Sequence, residues 1–388
     1  MAAPPADTPV ETTFTHGPPE AEAVGILSID LAALEANWRR LRSTATPAEC
    51  AAVIKGDGYG CGLEPVAAQL FQAGCKTFFV ADLSEAKRAR AVAREATIYV
   101  LNGLPPGSGD VFAQHYLQPV IGSLAELAEW DGFVQSTGWS GGFALHVDTG
   151  MNRLGVTVEE AEAISPRVVS ENHGMTLLMS HLISAEIPDN ARNQEQLLAF
   201  REIRRMFRGV PASLANSSGI FLGRSAHCDL VRPGVALYGF NPVPGRDNPM
   251  HPVVGLRARV ANVRLIETGQ TVGYNATWTA RRKSRIAIVT TGYADGYFRS
   301  ASSDDNKPGG FVLADGVRCP VAGRISMDLM AIDVTEVPDG GPRRGDYVTL
   351  IGDGITLGDV AERAGTIGYE VLTNLGRRYT RVYRAVTG

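Results

Sequence analysis

The chain has 388 residues, 44% of them hydrophobic and 20% charged, which is a globular composition long enough for two domains. Its 37 basic residues are scattered among 41 acidic ones, for a formal net charge of -4, which argues against a nucleic-acid backbone or an anionic membrane surface as partner. No apolar run approaches the ~20 residues needed to cross a bilayer, and the N-terminus lacks the basic start and apolar core of a secretory signal.

Residues 1–24, rich in Ala, Pro, Thr and acidic side chains, are expected to form a disordered tail. Beyond Gly25, short β-branched or aromatic runs alternate with longer amphipathic stretches. Residues 51–55, 77–81, 97–101, 119–122, 143–147, 176–180, 211–215 and 229–232 read as strands. Residues 63–73, 83–93, 158–169 and 193–207 read as helices between them. Strands alternating with helices predict an α/β domain with a parallel sheet, and eight such units suit a (β/α)8 TIM-type barrel over residues 25–250. An open doubly wound sheet is the alternative. Four prolines and Gly245 then interrupt residues 242–252. Residues 260–267, 284–290, 348–351 and 381–385 follow as strands, with one helical stretch at Leu357–Ala364, which predicts a mainly β domain over 251–388. The five cysteines, Cys50, Cys61, Cys75, Cys228 and Cys319, are irregularly spaced and form no CxxC. That pattern excludes a zinc motif, predicts no metal, and implies a reducing, cytoplasmic setting.

In a barrel the functional residues lie where strands end. The first strand ends in Ile54-Lys55-Gly56-Asp57-Gly58-Tyr59-Gly60, a lysine facing a glycine-rich loop. A desolvated lysine has a lowered pKa and serves as base, nucleophile or Schiff-base former with an aldehyde cofactor. The fifth strand runs into His146-Val147-Asp148-Thr149-Gly150-Met151-Asn152-Arg153, the sixth into His181, the seventh into Asn216-Ser217-Ser218-Gly219 and the eighth into Arg232-Pro233-Gly234-Val235. Singly, each has an ordinary explanation: a snorkelling lysine, a core histidine, a turn, a structural ion pair. Together they place a lysine, a histidine, an arginine and glycine-flanked amides at one barrel mouth. Such amides suit a phosphate, and the cations suit a flat heteroaromatic ring, so the set describes a pocket for pyridoxal 5'-phosphate (PLP). The β domain has four unusual segments of its own, 273–278, 292–296, 323–328 and 366–370, and three of them hold a tyrosine beside a glycine.

These motifs, in this order from Gly25 to the C-terminus, resemble the alanine racemase family of PLP enzymes. The resemblance implies a head-to-tail homodimer with shared active sites, a small amino-acid substrate, and a role in D-alanine supply, as for a cell wall. It implies that Lys55 carries the cofactor and is one catalytic base, and that Tyr274, from the second subunit, is the other. Arg153 and the Met327 backbone N–H would hold the substrate carboxylate, and Tyr293 would line the entryway. Arg232 would meet the pyridine nitrogen with His181 beside it, and Tyr59, Ser217, Gly234, Val235 and Tyr369 would hold the phosphate. Racemisation needs bases on both faces of one carbon, since a single fixed base returns the proton to the face it came from.

The chain departs from the family at a few positions. Many members carry a carbamylated lysine where this chain has His146, so another group must orient Arg153. Cys61 stands for a common histidine and Ser326 for a common cysteine. Three alternatives share parts of the pattern. A broad-specificity amino-acid racemase would keep the same bases. A PLP decarboxylase of the same architecture would put an acid where Arg232 stands. A PLP carrier would lack the β domain with Tyr274 and Met327.

Overall fold

The structure, a computed structural model, describes residues 10–169 and 174–387. It divides into two compact units: Ala33–His251, and the residues from Pro252 onward joined by those before Ala33.

The first unit carries a parallel sheet ordered Ala52–Val53, Thr77–Val80, Thr97–Val100, Gln118–Ile121, Phe143–His146, Met175–Met179, Ala212–Ser213. Backbone bonds close it into a ring. Asp229 N–H donates to Ala212 O and Arg232 N–H to Ala215 O, which joins the seventh strand to Leu230–Val231. Leu230–Val231 pairs in parallel with Glu49–Cys50, which runs on into Ala52–Val53. The eight-stranded barrel expected from the alternation is therefore present, and the open sheet is not. Ala51, Val53, Phe79, Tyr99, Val120, Ala144, Leu177, Met179 and Leu230 form a single buried cluster. Ala51 and Val53, or Leu177 and Met179, are two apart because alternate residues of a strand share a face.

The helices between strands begin where the sequence offers caps. Asp82 accepts the Glu85 N–H at the head of Leu83–Val92, and Ser123 accepts the Glu126 N–H at the head of Leu124–Thr137. The helix expected over 158–169 is α-helical only through Val158–Ile164 and finishes as a 3₁₀ turn at Ser165–Val169, where Pro166 cannot donate to the α-helical ladder.

The second unit is mainly β, as expected. Its main sheet runs Val10–His16, Thr380–Thr387, Gly25–Asp30, Val254–Ile266, Tyr347–Ile351, Phe311–Ala314, Val317–Pro320. Val254–Ile266 has 13 residues and buries Val254, Leu256, Ala258 and Val260 on one face. Its register shifts between Val260 and Asn262, and beyond that bulge it pairs with Ser284–Val289.

Two differences from expectation concern the N-terminal part. Val10–His16, in the region read as a disordered tail, pairs antiparallel with Thr380–Thr387 over seven residues, and Phe14 stacks on Tyr383 with ring centroids 4.9 Å apart. Residues 1–9 of that stretch lie outside the described residues. Gly25–Asp30 pairs with Val254–Ile266 and Thr380–Thr387, so it belongs to the β unit and not to the barrel. The β unit also has a second helix, Gly368–Asn374, beside Leu357–Ala364. No helix among the described residues is long and apolar enough to cross a membrane, and none of their His, Cys, Asp and Glu side chains group as a metal site.

Candidate active site

Lys55 follows Ala52–Val53 and Ile54 and opens a turn of unusual handedness. Gly56, Asp57 and Gly58 have φ/ψ of 64/43°, 54/49° and 62/43°, and Tyr59 and Gly60 continue at φ 52° and 80°. This is one turn of left-handed helix, closed by Gly58 N–H to Ile54 O and Gly60 N–H to Gly56 O. Such a turn disfavours an L side chain by roughly 1–2 kcal/mol per residue, which is why glycine recurs at 56, 58 and 60. Asp57 and Tyr59 adopt it despite their side chains, so contacts elsewhere must hold them. Tyr59 stacks on Tyr238 with ring centroids 4.6 Å apart. The Asp57 carboxylate accepts from Arg88 at 2.6 Å and from the Leu63 N–H at 3.2 Å.

The other expected barrel residues converge on the same mouth. His146 ends its strand, and His181 and Arg232 lie one or two residues beyond theirs. Arg232 is only 4% exposed. Its guanidinium donates to Ser213 Oγ at 2.5 Å and to the Ser180 carbonyl at 2.6 Å, both neutral, and lies 5.8 Å from the Phe79 ring centre. Burial lowers its pKa to about 10, so it remains a cation at neutral pH. Burial and the Arg232 charge push His181 down to about 3 and His146 to about 4, so both imidazoles are neutral. The Lys55 amine is lowered by burial and by Arg153, with Glu85 opposing.

Arg153 is exposed on a loop that folds back on the end of the fifth strand. Val156 N–H donates to His146 O and Asp148 N–H to Val156 O, each at 2.9 Å. The Asp148 carboxylate is engaged by the N–H groups of Gly150, Met151 and Asn152. Arg153 faces Lys55, His146 and His181 closely enough to perturb all three.

Ser217, Gly234 and Val235 form one cradle. Ser217 Oγ accepts the N–H groups of Gly234 at 3.0 Å and Ala236 at 3.2 Å. With its lone pairs so used, the hydroxyl proton remains to be donated. A Cβ on Gly234 would lie 2.4 Å from Tyr59 Oη, so only glycine lets the tyrosine cross this backbone. The chemistry of this donor set fits PLP. It offers a lysine amine of lowered pKa, a cation for a ring nitrogen, and hydroxyl and backbone donors beside a glycine for a phosphate.

Three of the four β-unit segments, 273–278, 292–296 and 323–328, come together within their own unit. Tyr293 N–H donates to Ser326 O and Ala294 N–H to Met327 O. A Cβ on Gly292 would meet Met327 O at 2.3 Å, and one on Gly273 would meet Arg324 N at 3.2 Å. Arg378 bridges Asp295 at 2.6 Å and Asp328 at 2.7 Å, and Asp295 is fully buried. On this frame Tyr274 is 63% exposed, Met327 53% and Tyr293 42%, while Tyr369, on the helix Gly368–Asn374, is 40% exposed.

Sequence reasoning did not find the groups that hold these residues: Ser180 and Ser213 under Arg232, Tyr238 under Tyr59, Glu85 and Arg88 around Asp57, and Arg378 between two acids. Their partners are distant in sequence, and no local motif announces them.

The family model for the alanine racemase N-terminal domain matches residues 29–242, and that for the alanine racemase C-terminal domain matches 253–383. An alanine racemase of Methylobacterium nodulans is 54% identical over 357 residues, 92% of this chain and 95% of that relative. The crystal structure of alanine racemase from Bartonella henselae with covalently bound pyridoxal phosphate superposes with a TM-score of 0.88 at 38% identity, covering 93% of this chain and 99% of that one. The biosynthetic alanine racemase of Pseudomonas aeruginosa gives 0.85 at 32% identity, with the same coverage. A family match over both units, joined to a lysine among cations at the barrel mouth, leads to one conclusion: the chain belongs to the alanine racemase family.

Proposed function

We propose that this chain interconverts L- and D-alanine with PLP, using Lys55 and Tyr274 of the partner subunit as its two bases. The observation that carries this is the Lys55 amine, lowered by burial and by Arg153, at the mouth of a barrel that also buries the Arg232 cation. PLP, when bound, supplies the electron sink that makes the substrate α-proton removable. Lys55 would hold the cofactor covalently, and Ser217, Gly234, Val235, Tyr59 and Tyr369 would hold its phosphate. Arg232 would donate to the ring nitrogen. Because it keeps its proton at neutral pH, it acts there as a donor and not as an acid.

Lys55 Nζ, its pKa lowered, would take the proton as the free amine or return it as the ammonium on one face of the α-carbon, and Tyr274 of the partner subunit would do the reverse on the other, as phenol when donating and phenolate when accepting. Arg153 pairs with the substrate carboxylate, opposite the backbone N–H of Met327 of the partner subunit. Tyr293 of the partner subunit narrows the entry. The exposure of Tyr274, Met327 and Tyr293 on mutually bonded loops supports a head-to-tail homodimer in which each subunit completes the other's site. The cysteine pattern supports a cytoplasmic setting.

A complementation experiment tests the shared site. Lys55→Ala and Tyr274→Phe chains are each inactive on their own. When they are mixed and allowed to exchange subunits, half the dimers are mixed, and each of those has one intact site. About a quarter of the sites then regain activity if the bases come from different subunits. None does if both bases lie in one chain.

A further inference from the structure

The left-handed turn that presents Lys55 does not stabilise itself, because two of its residues carry side chains in a conformation that disfavours them. Its external support converges on the helix Leu83–Val92. Glu85 Oε1 accepts the Asp57 N–H at 2.9 Å, and Glu85 Oε2 accepts the Ala81 N–H at 2.8 Å. One carboxylate thus ties the lysine turn to the end of the neighbouring barrel strand, Thr77–Val80. One turn further along the same helix, Arg88 reaches the Asp57 carboxylate at 2.6 Å and both Glu64 oxygens. Glu85 and Arg88 are both half-buried, and only Glu85 reaches the backbone of the turn.

We propose that Glu85 is a positioning residue for Lys55, holding the left-handed turn through its two backbone bonds and supplying the negative charge that faces the lysine amine. This rests on Lys55 being the cofactor lysine. The groups that bear on the amine are Arg153 from the loop after the fifth strand, His181 after the sixth, and Glu85; the Asp57 carboxylate on the turn is engaged by Arg88. Arg153 favours the free amine and the His181 imidazole is neutral, so Glu85 is what offsets burial and Arg153. Both carboxylate oxygens are required. A glutamine can accept one of the two N–H bonds, but it turns an amide NH₂ toward the other.

The experiment reads Lys55 directly in full-length protein freed of cofactor. Acetic anhydride labels amines in their unprotonated form, and the Lys55 peptide is quantified by mass spectrometry across pH. Hydrogen exchange of the peptide covering residues 56–62 runs alongside. For Glu85→Gln, the labelling midpoint of Lys55 is expected to fall by about 0.5–1 pH, the size of one partly screened charge, and exchange of the turn is expected to quicken. Glu85→Asp keeps the charge but is one methylene too short to bridge both amides. It is expected to quicken exchange while leaving the midpoint near that of the parent. In the loaded enzyme, the pH limb of kcat assigned to the lysine moves with the Glu85→Gln midpoint.

A folded Glu85→Gln chain with unchanged midpoint and unchanged exchange overturns the proposal. If Glu85→Gln does not fold, Glu85→Asp decides it: exchange equal to the parent's overturns the positioning role, and faster exchange supports it. Failure of the racemase assignment is distinguishable, because it would show as absence of D-alanine formation by the parent protein while the labelling result stood.

Discussion

Two neutral histidines, a buried His146 and a half-buried His181, at a mouth crowded with cations make the cofactor-free fold sensitive to acid. His146 and His181 have folded pKa values of about 4 and about 3, against 6.5 for a free imidazole. Above pH 6.5 both are neutral in folded and unfolded chains, and their contribution to stability is fully present. As pH falls below 6.5 the unfolded chain takes up two protons that the folded chain refuses, and stability is lost until the folded pKa values are reached. Each such proton is worth about 1.36 kcal/mol per pH unit. At pH 5, 1.5 units below the unfolded value, the loss is about 2 kcal/mol per histidine, or about 4 kcal/mol for the pair. The assay is urea unfolding of cofactor-free parent and of a His146→Gln/His181→Gln variant at pH 8, 7, 6 and 5. Carboxylate titrations common to both proteins cancel in the difference. The parent is expected to lose about 4 kcal/mol relative to the variant between pH 8 and 5. A difference that stays flat to within about 1 kcal/mol would refute the claim that Arg232, Arg153 and burial keep these rings neutral.

Gly234→Ala places a Cβ 2.4 Å from Tyr59 Oη, and Tyr59 has Tyr238 stacked on it, so a loss of about 1–3 kcal/mol in stability is expected by thermal melting, together with weaker PLP retention. Arg378→Met leaves the fully buried Asp295 carboxylate without its cation. Because Arg378 is half exposed, the loss is expected nearer 2 kcal/mol than the 3–5 typical of fully buried pairs, and KM for alanine should rise more than kcat falls. Tyr274→Phe removes an exposed hydroxyl. It should leave the melting temperature unchanged while racemisation slows by about 10²–10⁴-fold, the usual contribution of one general base. A melting temperature that dropped with the activity would instead assign Tyr274 a structural role.

The barrel was legible because its strands and helices alternate in a regular texture, and because Lys55, His146, His181 and Arg232 each sit where such a run ends. The lengths of the strands were not. Ala212–Ser213 and Leu230–Val231 shrink to two residues each, since the mouth loops take the flanking residues into turns and side-chain bonds. Gly25–Asp30 falls within the span read as barrel, and only its long-range partners, Val254–Ile266 and Thr380–Thr387, place it in the β unit. Likewise, Val10–His16 is a strand only because the edge of Thr380–Thr387 is open to it. At the site, the glycines at 56, 58 and 60 announced a special backbone but not its left hand. Their helper Glu85 lies 28 positions from Asp57 on another element. The family resemblance named Tyr274, Tyr293, Met327 and Tyr369, but not the bonds that hold their loops. Arg378 ties the loops 292–296 and 323–328 together through two acids, 83 and 50 positions away in sequence.

The most direct test of the central claim is to incubate the PLP-loaded protein with L-alanine, beside a panel of other L-amino acids, and to follow the D-enantiomers by chiral chromatography. The account predicts rapid formation of D-alanine to an equal mixture with L-alanine, abolished by Lys55→Ala. A protein that binds PLP and leaves L-alanine unchanged would contradict it.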